Sequence, residues 1–167
     1  FQQSGISDIH VVLRKDKWDI PAYYSENNPY NANICYHVAD VDFGVPFSLN
    51  KAYPFLKEKM VCLGFPDILF TPPDGFSHLI SKLNKNRSSS VVLGVMPVSR
   101  PEKWDMVELD QKNRVTEIVI KSARGKKLKY GWTLAAWKPD FTSFLNEYVT
   151  SMLSSRSSEE LTNHEIY

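Results

Sequence analysis

Short apolar runs alternate with amphipathic stretches along the first hundred residues of the chain. The apolar runs are rich in aliphatic residues and are bounded by polar or turn-forming residues, a pattern that is typical of buried strands. Between these runs, apolar residues recur at the spacing of a helix that packs on one side. The pattern predicts strands at 9–13, 34–38, 60–63 and 91–98, and helices at 19–24, 46–57 and 76–83.

The order strand, helix, strand, helix, strand predicts a parallel arrangement with helices on the faces of the sheet. After residue 100 the pattern changes. Two extended runs, 106–110 and 114–121, are joined by a polar Gln-Lys-Asn turn and predict an antiparallel hairpin. A strand at 130–137 and an amphipathic helix at 141–153 follow. We therefore expect an α/β fold in one domain over residues 1–167, with a mixed, mostly parallel central sheet.

Composition and net charge argue against several classes of function. The net charge of +1 gives no general attraction to nucleic acid or to an anionic membrane, and no apolar run is long enough to span a bilayer. Cys35 and Cys62 each lie in an apolar run and are interpreted as small core residues in a reducing compartment. The four histidines show no metal-ligand spacing, and His10 and His37 are interpreted as sheet residues. We expect a cytoplasmic protein without nucleic-acid or membrane partners.

The strand predicted at 60–63 leads directly into Gly64, Pro66 and Asp67. In open α/β sheets, ligands bind at the carboxyl ends of strands. Mg²⁺ is commonly held there by one or two carboxylates together with phosphate oxygens. Asp67 is therefore a candidate magnesium ligand beside a phosphate. The alternative is that Asp67 caps the turn or the element that follows it.

Two further charged segments each have a functional and a structural interpretation. Asp40 and Asp42 are separated by one residue and would share one side of an extended chain, like the Asp-x-Asp motif of metal-dependent glycosyltransferases. A solvated polar loop is the alternative. The segment 121–129 carries five positive charges and suits either phosphate binding or an exposed basic loop. Lys121 closes the preceding strand and is the member of this segment best placed to enter a cleft.

In their order, these segments resemble the sugar-phosphate nucleotidyltransferases over most of the chain, with glucose-1-phosphate thymidylyltransferases as the nearest type. The sequence Leu-Gly-Phe-Pro-Asp-Ile-Leu-Phe at 63–70 is similar to the family's Leu-Gly-Asp-x-Ile-Phe and its Pro-Asp variant. Segment 104–110 looks like Tyr-Gly-Val-Val-Glu-Phe-Asp, and 114–121 looks like the run that ends in Glu-Glu-Lys-Pro. The resemblance implies a three-layer, Rossmann-like nucleotidyltransferase fold. It also implies an enzyme that joins a nucleoside triphosphate, dTTP in this type, to a sugar-1-phosphate.

The resemblance also implies roles for individual residues. Asp67 matches the acid that binds Mg²⁺, and Lys121 matches the lysine that contacts the sugar phosphate, so both are candidate catalytic residues. Gly44 matches a glycine that approaches the nucleotide base. Ala39 occupies the nucleotide-binding position where many thymidylyltransferases have a base-reading glutamine. Mg²⁺ is the implied cofactor, the two substrates are the implied partners, and a homo-oligomer is left open.

The chain departs from the family pattern at several points. Ile120 replaces the glutamate that usually precedes the lysine. The Gly-x-Gly-Thr-Arg loop would precede residue 1, and a Trp-x-Asp-x-Gly-Thr-like segment would follow residue 167. We therefore expect a domain that is truncated at both ends and inactive alone. Two alternatives stay open: a metal-dependent glycosyltransferase that uses Asp40 and Asp42, and a non-catalytic, nucleotidyltransferase-like regulatory domain.

Overall fold

The structure is a computed structural model of the chain. It describes residues 1–26, 32–39, 43–120, 127–157 and 161. The chain divides into two compact units, of which the first comprises Phe1–Met60 and Lys138–Tyr167 and the second comprises Val61–Trp137. The interpretation of the chain as one domain stays a prediction.

A parallel pair of strands forms the sheet of the first unit. Strand β1 (Asp8–Arg14) pairs with strand β2 (Asn33–Ala39), and the register places Asp8 opposite Asn33 and Arg14 opposite Ala39. Helix α1 (Asp19–Glu26) lies between the two strands in sequence and contains Pro21 in its first turn, where a missing N–H is tolerated. The predicted strand–helix–strand order is confirmed for this part of the chain.

The helix predicted at 46–57 is divided in the structure into α2 (Val45–Asn50) and α3 (Tyr53–Leu56). Pro54 lies in the first turn of α3. Inside one continuous helix, this proline would lack the N–H that bonds to the carbonyl four residues earlier, and its ring would clash with that carbonyl. The prediction of a single helix is therefore wrong at this point.

The core of the first unit is built around helix α5 (Pro139–Ser155). Phe47 of α2 packs with Val149 of α5 and with Leu161, and Phe43 and Met152 lie against this cluster. Among the described residues, α5 is the longest helix. None of the helices in the described parts of the chain is long and apolar enough to cross a membrane.

In its described residues, the second unit consists of a five-stranded sheet, one α-helix and a short 3-10 helix at Pro101–Lys103. Strand β7 is central, with β3 and β5 along one edge and β4 along the other, while β6 pairs with β5. The elements are β3 (Val61–Gly64), α4 (Gly75–Lys85), β4 (Val91–Pro97), β5 (Met106–Leu109), β6 (Val115–Val119) and β7 (Tyr130–Trp137).

The α/β class and the hairpin of β5 and β6 are confirmed, but the prediction of a mostly parallel sheet is not. Every pairing in the five-stranded sheet is antiparallel. Strands β3 and β4 do run in the same direction, as the intervening helix predicts, because each is antiparallel to β7. Residues 134–137 of β7 pair with both strands, so β7 separates them.

Helix α4 covers the apolar centre of this sheet. Its buried side chains, Phe76, Leu79 and Leu83, follow one another at helical spacing. In β7, residues 133–137 are all buried, which shows that both faces of the strand are covered. Gly94 of β4 allows this packing, since a Cβ added there would lie 3.0 Å from the Leu134 Cβ. The core of the second unit therefore lies along β7.

Candidate functional site

Asp67 lies in the turn that follows β3. The Ile68 N–H donates a hydrogen bond to the Phe65 carbonyl oxygen over 3.2 Å, and Pro66 occupies the position whose φ this kind of turn favours. The Asp67 side chain is exposed. In the described part of the chain, no hydrogen bond or ion pair engages its carboxylate. The alternative role as a cap is therefore not observed, and both oxygens can accept a cation.

An aromatic pair lies at the same end of the sheet. The ladder pairs Gly64 with Leu134, so Trp132 of β7 lies two residues beyond the point where the pairing of β3 ends. The ring centroids of Trp132 and Phe65 are 5.7 Å apart. The Trp132 Nε1–H is buried and has no hydrogen-bond partner among the residues described. A buried tryptophan N–H usually finds an acceptor, so a donor without one among the described residues is unusual.

Sequence reasoning missed Trp132. The signal was a large residue with a polar N–H inside the largely apolar run of β7. The predicted strand boundaries did not show that this residue lies beside the end of β3, because the pairing of β3 with β7 joins distant parts of the chain.

The Asp110 carboxylate braces the turn of the hairpin that precedes Lys121. Asp110 accepts hydrogen bonds from the Lys112 N–H over 2.8 Å, from the Arg114 N–H over 2.9 Å and from the Arg114 Nε over 2.8 Å. The backbone and side-chain bonds from Arg114 hold the pKa of Asp110 below its usual value. Ile120 is half-buried at the end of the hairpin, and Lys121 lies outside the described residues.

The predicted nucleotide-binding residues lie in the first unit. Ala39 is the last residue of β2 and is half-buried. Gly44 precedes α2 with a φ of 99°, a conformation that residues with a side chain rarely adopt. The Gly44 carbonyl accepts hydrogen bonds from the Ser48 N–H and hydroxyl over 3.2 and 3.3 Å. Asp40 and Asp42 lie outside the described residues.

The predicted site residues are thus divided between the units. Ala39 and Gly44 belong to the first unit, whereas Asp67 belongs to the second, together with Phe65 and Trp132. One exposed carboxylate suits Mg²⁺, because this ion commonly takes one or two protein carboxylates and completes its coordination with phosphate oxygens and water. The residues present therefore fit a magnesium ion that binds together with a phosphate.

No family model and no curated protein sequence matches the chain. Solved structures do match it. A protein named as a glucose-1-phosphate thymidylyltransferase, from Bacillus anthracis and in complex with sucrose, has 17% sequence identity and a TM-score of 0.76, and the match covers 98% of this chain and 62% of that chain. UDP-glucose pyrophosphorylase from Acinetobacter baumanii has 14% identity and a TM-score of 0.69, covering 92% and 68%. HddC from Yersinia pseudotuberculosis has 12% identity and a TM-score of 0.64, covering 88% and 61%.

These structures confirm the fold that the sequence resemblance implied, which is that of the sugar-phosphate nucleotidyltransferases. The chain spans 62% of the length of the Bacillus anthracis chain that it matches. At identities of 17% and below, the likeness establishes the fold.

Proposed function

We propose that the complete protein is a sugar-phosphate nucleotidyltransferase that joins dTTP to a sugar-1-phosphate and releases pyrophosphate. The observation that carries this proposal is the exposed carboxylate of Asp67 after the end of β3, which has no hydrogen-bond or ion-pair partner among the described residues. It occurs in a fold shared with proteins named as a thymidylyltransferase and a UDP-glucose pyrophosphorylase. Those names support transfer of a nucleotidyl group, and the choice of dTTP rests on the resemblance to the thymidylyltransferase type.

In the proposed reaction, an oxygen of the sugar phosphate attacks the α-phosphorus of the triphosphate. A new P–O bond forms, the bond to the β-phosphate breaks, and pyrophosphate leaves with the bonding electrons. The protein has to align the two substrates and offset their charge. Asp67 would hold the magnesium ion, which supplies charge neutralisation at the phosphate oxygens when bound.

Other residues of the chain would position the substrates. Lys121 would bind the sugar phosphate as a point charge. Gly44 would admit the nucleotide close to the backbone, because it has no side chain to obstruct the approach. Ala39 has no polar side-chain atom, so other residues would read the base.

The decisive experiment replaces Asp67 by Asn in the complete protein. The substitution keeps the shape of the side chain and removes its charge, so we expect turnover to fall on the order of 10²–10³-fold without loss of the fold. Pyrophosphate release from dTTP and a sugar-1-phosphate measures turnover, and circular dichroism monitors the fold. The matched control is Asp74→Asn, an exposed acid seven residues further along whose carboxylate lies 3.5 Å from the His78 ring. Unchanged turnover in Asp67→Asn would remove Asp67 from the chemistry.

The departures at Ile120 and Ala39 favour a second candidate, a non-catalytic domain that retains nucleotide binding. In that case the complete wild-type protein would be stabilised thermally by a nucleoside triphosphate with Mg²⁺ but would release no pyrophosphate. Glycosyl transfer from a nucleotide-sugar without pyrophosphate would instead support the glycosyltransferase alternative.

A further inference from the structure

Three side chains with metal-binding atoms project from one face of the β1–β2 pair. In the parallel ladder, His10 lies directly opposite Cys35. His37 follows Cys35 by two residues and therefore points to the same side of the strand pair. The His10 Nδ1 and the His37 Nε2 are 2.8 Å apart, and one ligand atom from each of the three residues lies within 4.8 Å of the others. The strand pairing thus brings together two imidazole nitrogens and one sulfur.

We propose that His10, Cys35 and His37 bind a Zn²⁺ ion. Imidazole and thiolate ligands are the set that zinc prefers, and three protein ligands leave a fourth position for water. Zinc–ligand bond lengths in a tetrahedral site place the two nitrogens about 3.3 Å apart and each nitrogen about 3.5 Å from the sulfur. The two rings would therefore separate by about half an ångström from their hydrogen-bonded distance.

The surroundings of the cluster suit a metal ion. The Phe55 ring centroid lies 5.6 Å from that of His10 and 5.3 Å from that of His37, so an apolar ring packs beside both imidazoles. His37 is only 9% exposed, whereas His10 and Cys35 are half-buried, which leaves a path from solvent.

The protons balance without any oxidation or reduction. In the absence of metal, one imidazole N–H donates to the facing nitrogen of the other ring. Metal binding breaks this hydrogen bond, and the proton moves through solvent to the other nitrogen of the same ring. The Cys35 thiol becomes a thiolate, because the thiolate is the form that binds metals. One proton per zinc ion is therefore released.

The first test measures zinc binding to the untagged chain after its metals have been removed with a chelator. Equilibrium dialysis against Zn²⁺ alone is expected to give one ion per chain. Cys35→Ser and His37→Gln should weaken binding at least tenfold. Cys62→Ser and His78→Gln are matched controls, since they remove the same atom types elsewhere, and should bind like the wild type. Absence of binding by the wild type, or equal affinity in Cys35→Ser and Cys62→Ser, would overturn the proposal.

A second measurement uses Co²⁺ as a spectroscopic probe, and its decisive reading is made on the wild-type chain, so that reading does not depend on how well a variant folds. In the wild-type chain, Co²⁺ should produce a thiolate-to-cobalt charge-transfer band together with the strong visible absorption of a tetrahedral site. Cys62→Ser should retain the band, and Cys35→Ser should lose it. Binding without a thiolate band in the wild type would exclude Cys35 as a ligand and overturn the proposal. Neither measurement uses transferase activity, so the outcome is independent of the proposed function.

Discussion

Two aspartates show how the local backbone decides what a carboxylate does. Asp110 accepts hydrogen bonds from two backbone N–H groups and from the Arg114 side chain, so its charge is used within the hairpin. Asp67 also follows a strand, but its carboxylate has no such partner in the described part of the chain. Asp110 is therefore a structural residue, and Asp67 is the one whose carboxylate is available to a ligand.

We predict that Asp110→Asn destabilises the protein at neutral pH and that the effect disappears in acid. Folding lowers the pKa of Asp110 below its usual value of 3.8. Its stabilising contribution is therefore fully present above pH 3.8 and is lost as the pH falls through the lower pKa of the folded state. Urea unfolding at pH 7, 5, 4 and 3 measures the difference between variant and wild type.

Asp16→Asn is the control for this series, because Asp16 is exposed in a turn. It should behave like the wild type at neutral pH. A difference between Asp110→Asn and wild type that stays constant across the whole pH series would show that the charge of Asp110 does not stabilise the hairpin.

At the residue scale, the sequence could predict features that depend on neighbours in the chain. The Gly-Phe-Pro-Asp order after an apolar run was enough to place Asp67 in a turn at the end of a strand. The sequence did not indicate the cluster of His10, Cys35 and His37, because these residues do not show metal-ligand spacing within any single segment. The cluster depends on the register between β1 and β2, which sets His10 opposite Cys35 and is a property of the paired strands.

At the scale of elements, periodicity predicted most strands and helices correctly, since each element buries a face that its own sequence specifies. The wrong predictions occur where a feature other than apolar periodicity determines the structure. Pro54 divides the helix predicted at 46–57, because a single proline outweighs the surrounding apolar spacing. The antiparallel sheet arises because β7, a strand late in the sequence, pairs between β3 and β4. The pattern of apolar residues along the chain does not show that β7 inserts between β3 and β4.

Helix α4 offers a direct test of its predicted apolar face. The Leu83 side chain is 0% exposed, so Leu83→Ala removes buried apolar surface and leaves a cavity, and it should lower the free energy of unfolding by about 2–5 kcal/mol. Asn84→Ala, at the next and exposed position, should leave stability unchanged or slightly raised. Urea unfolding of the two variants beside wild type measures both effects. Equal stability of the two variants would contradict the packing of α4.

For the whole molecule, the important feature is the order of the two units along the chain. The second unit, Val61–Trp137, is inserted between the two segments that make up the first. Within the first unit, α2 packs against α5, although the whole of the second unit separates these helices in sequence. The second unit is thus a long connection between α2 and α5. When it is folded, it keeps the two ends of this connection close together, and the packing of α2 against α5 depends on that.

We accordingly predict that the two units unfold together. If residues 61–137 unfolded alone, they would become a flexible loop between α2 and α5, and closing such a loop costs on the order of 4 kcal/mol. That cost would lower the free energy of unfolding of the first unit.

Three of the four tryptophans, Trp104, Trp132 and Trp137, lie in the second unit, whereas most of the helices lie in the first. Tryptophan fluorescence and far-ultraviolet circular dichroism should therefore give the same urea midpoint, and Leu83→Ala should lower both equally. Two separate midpoints, with only the fluorescence transition shifted by Leu83→Ala, would show that the units are independent domains.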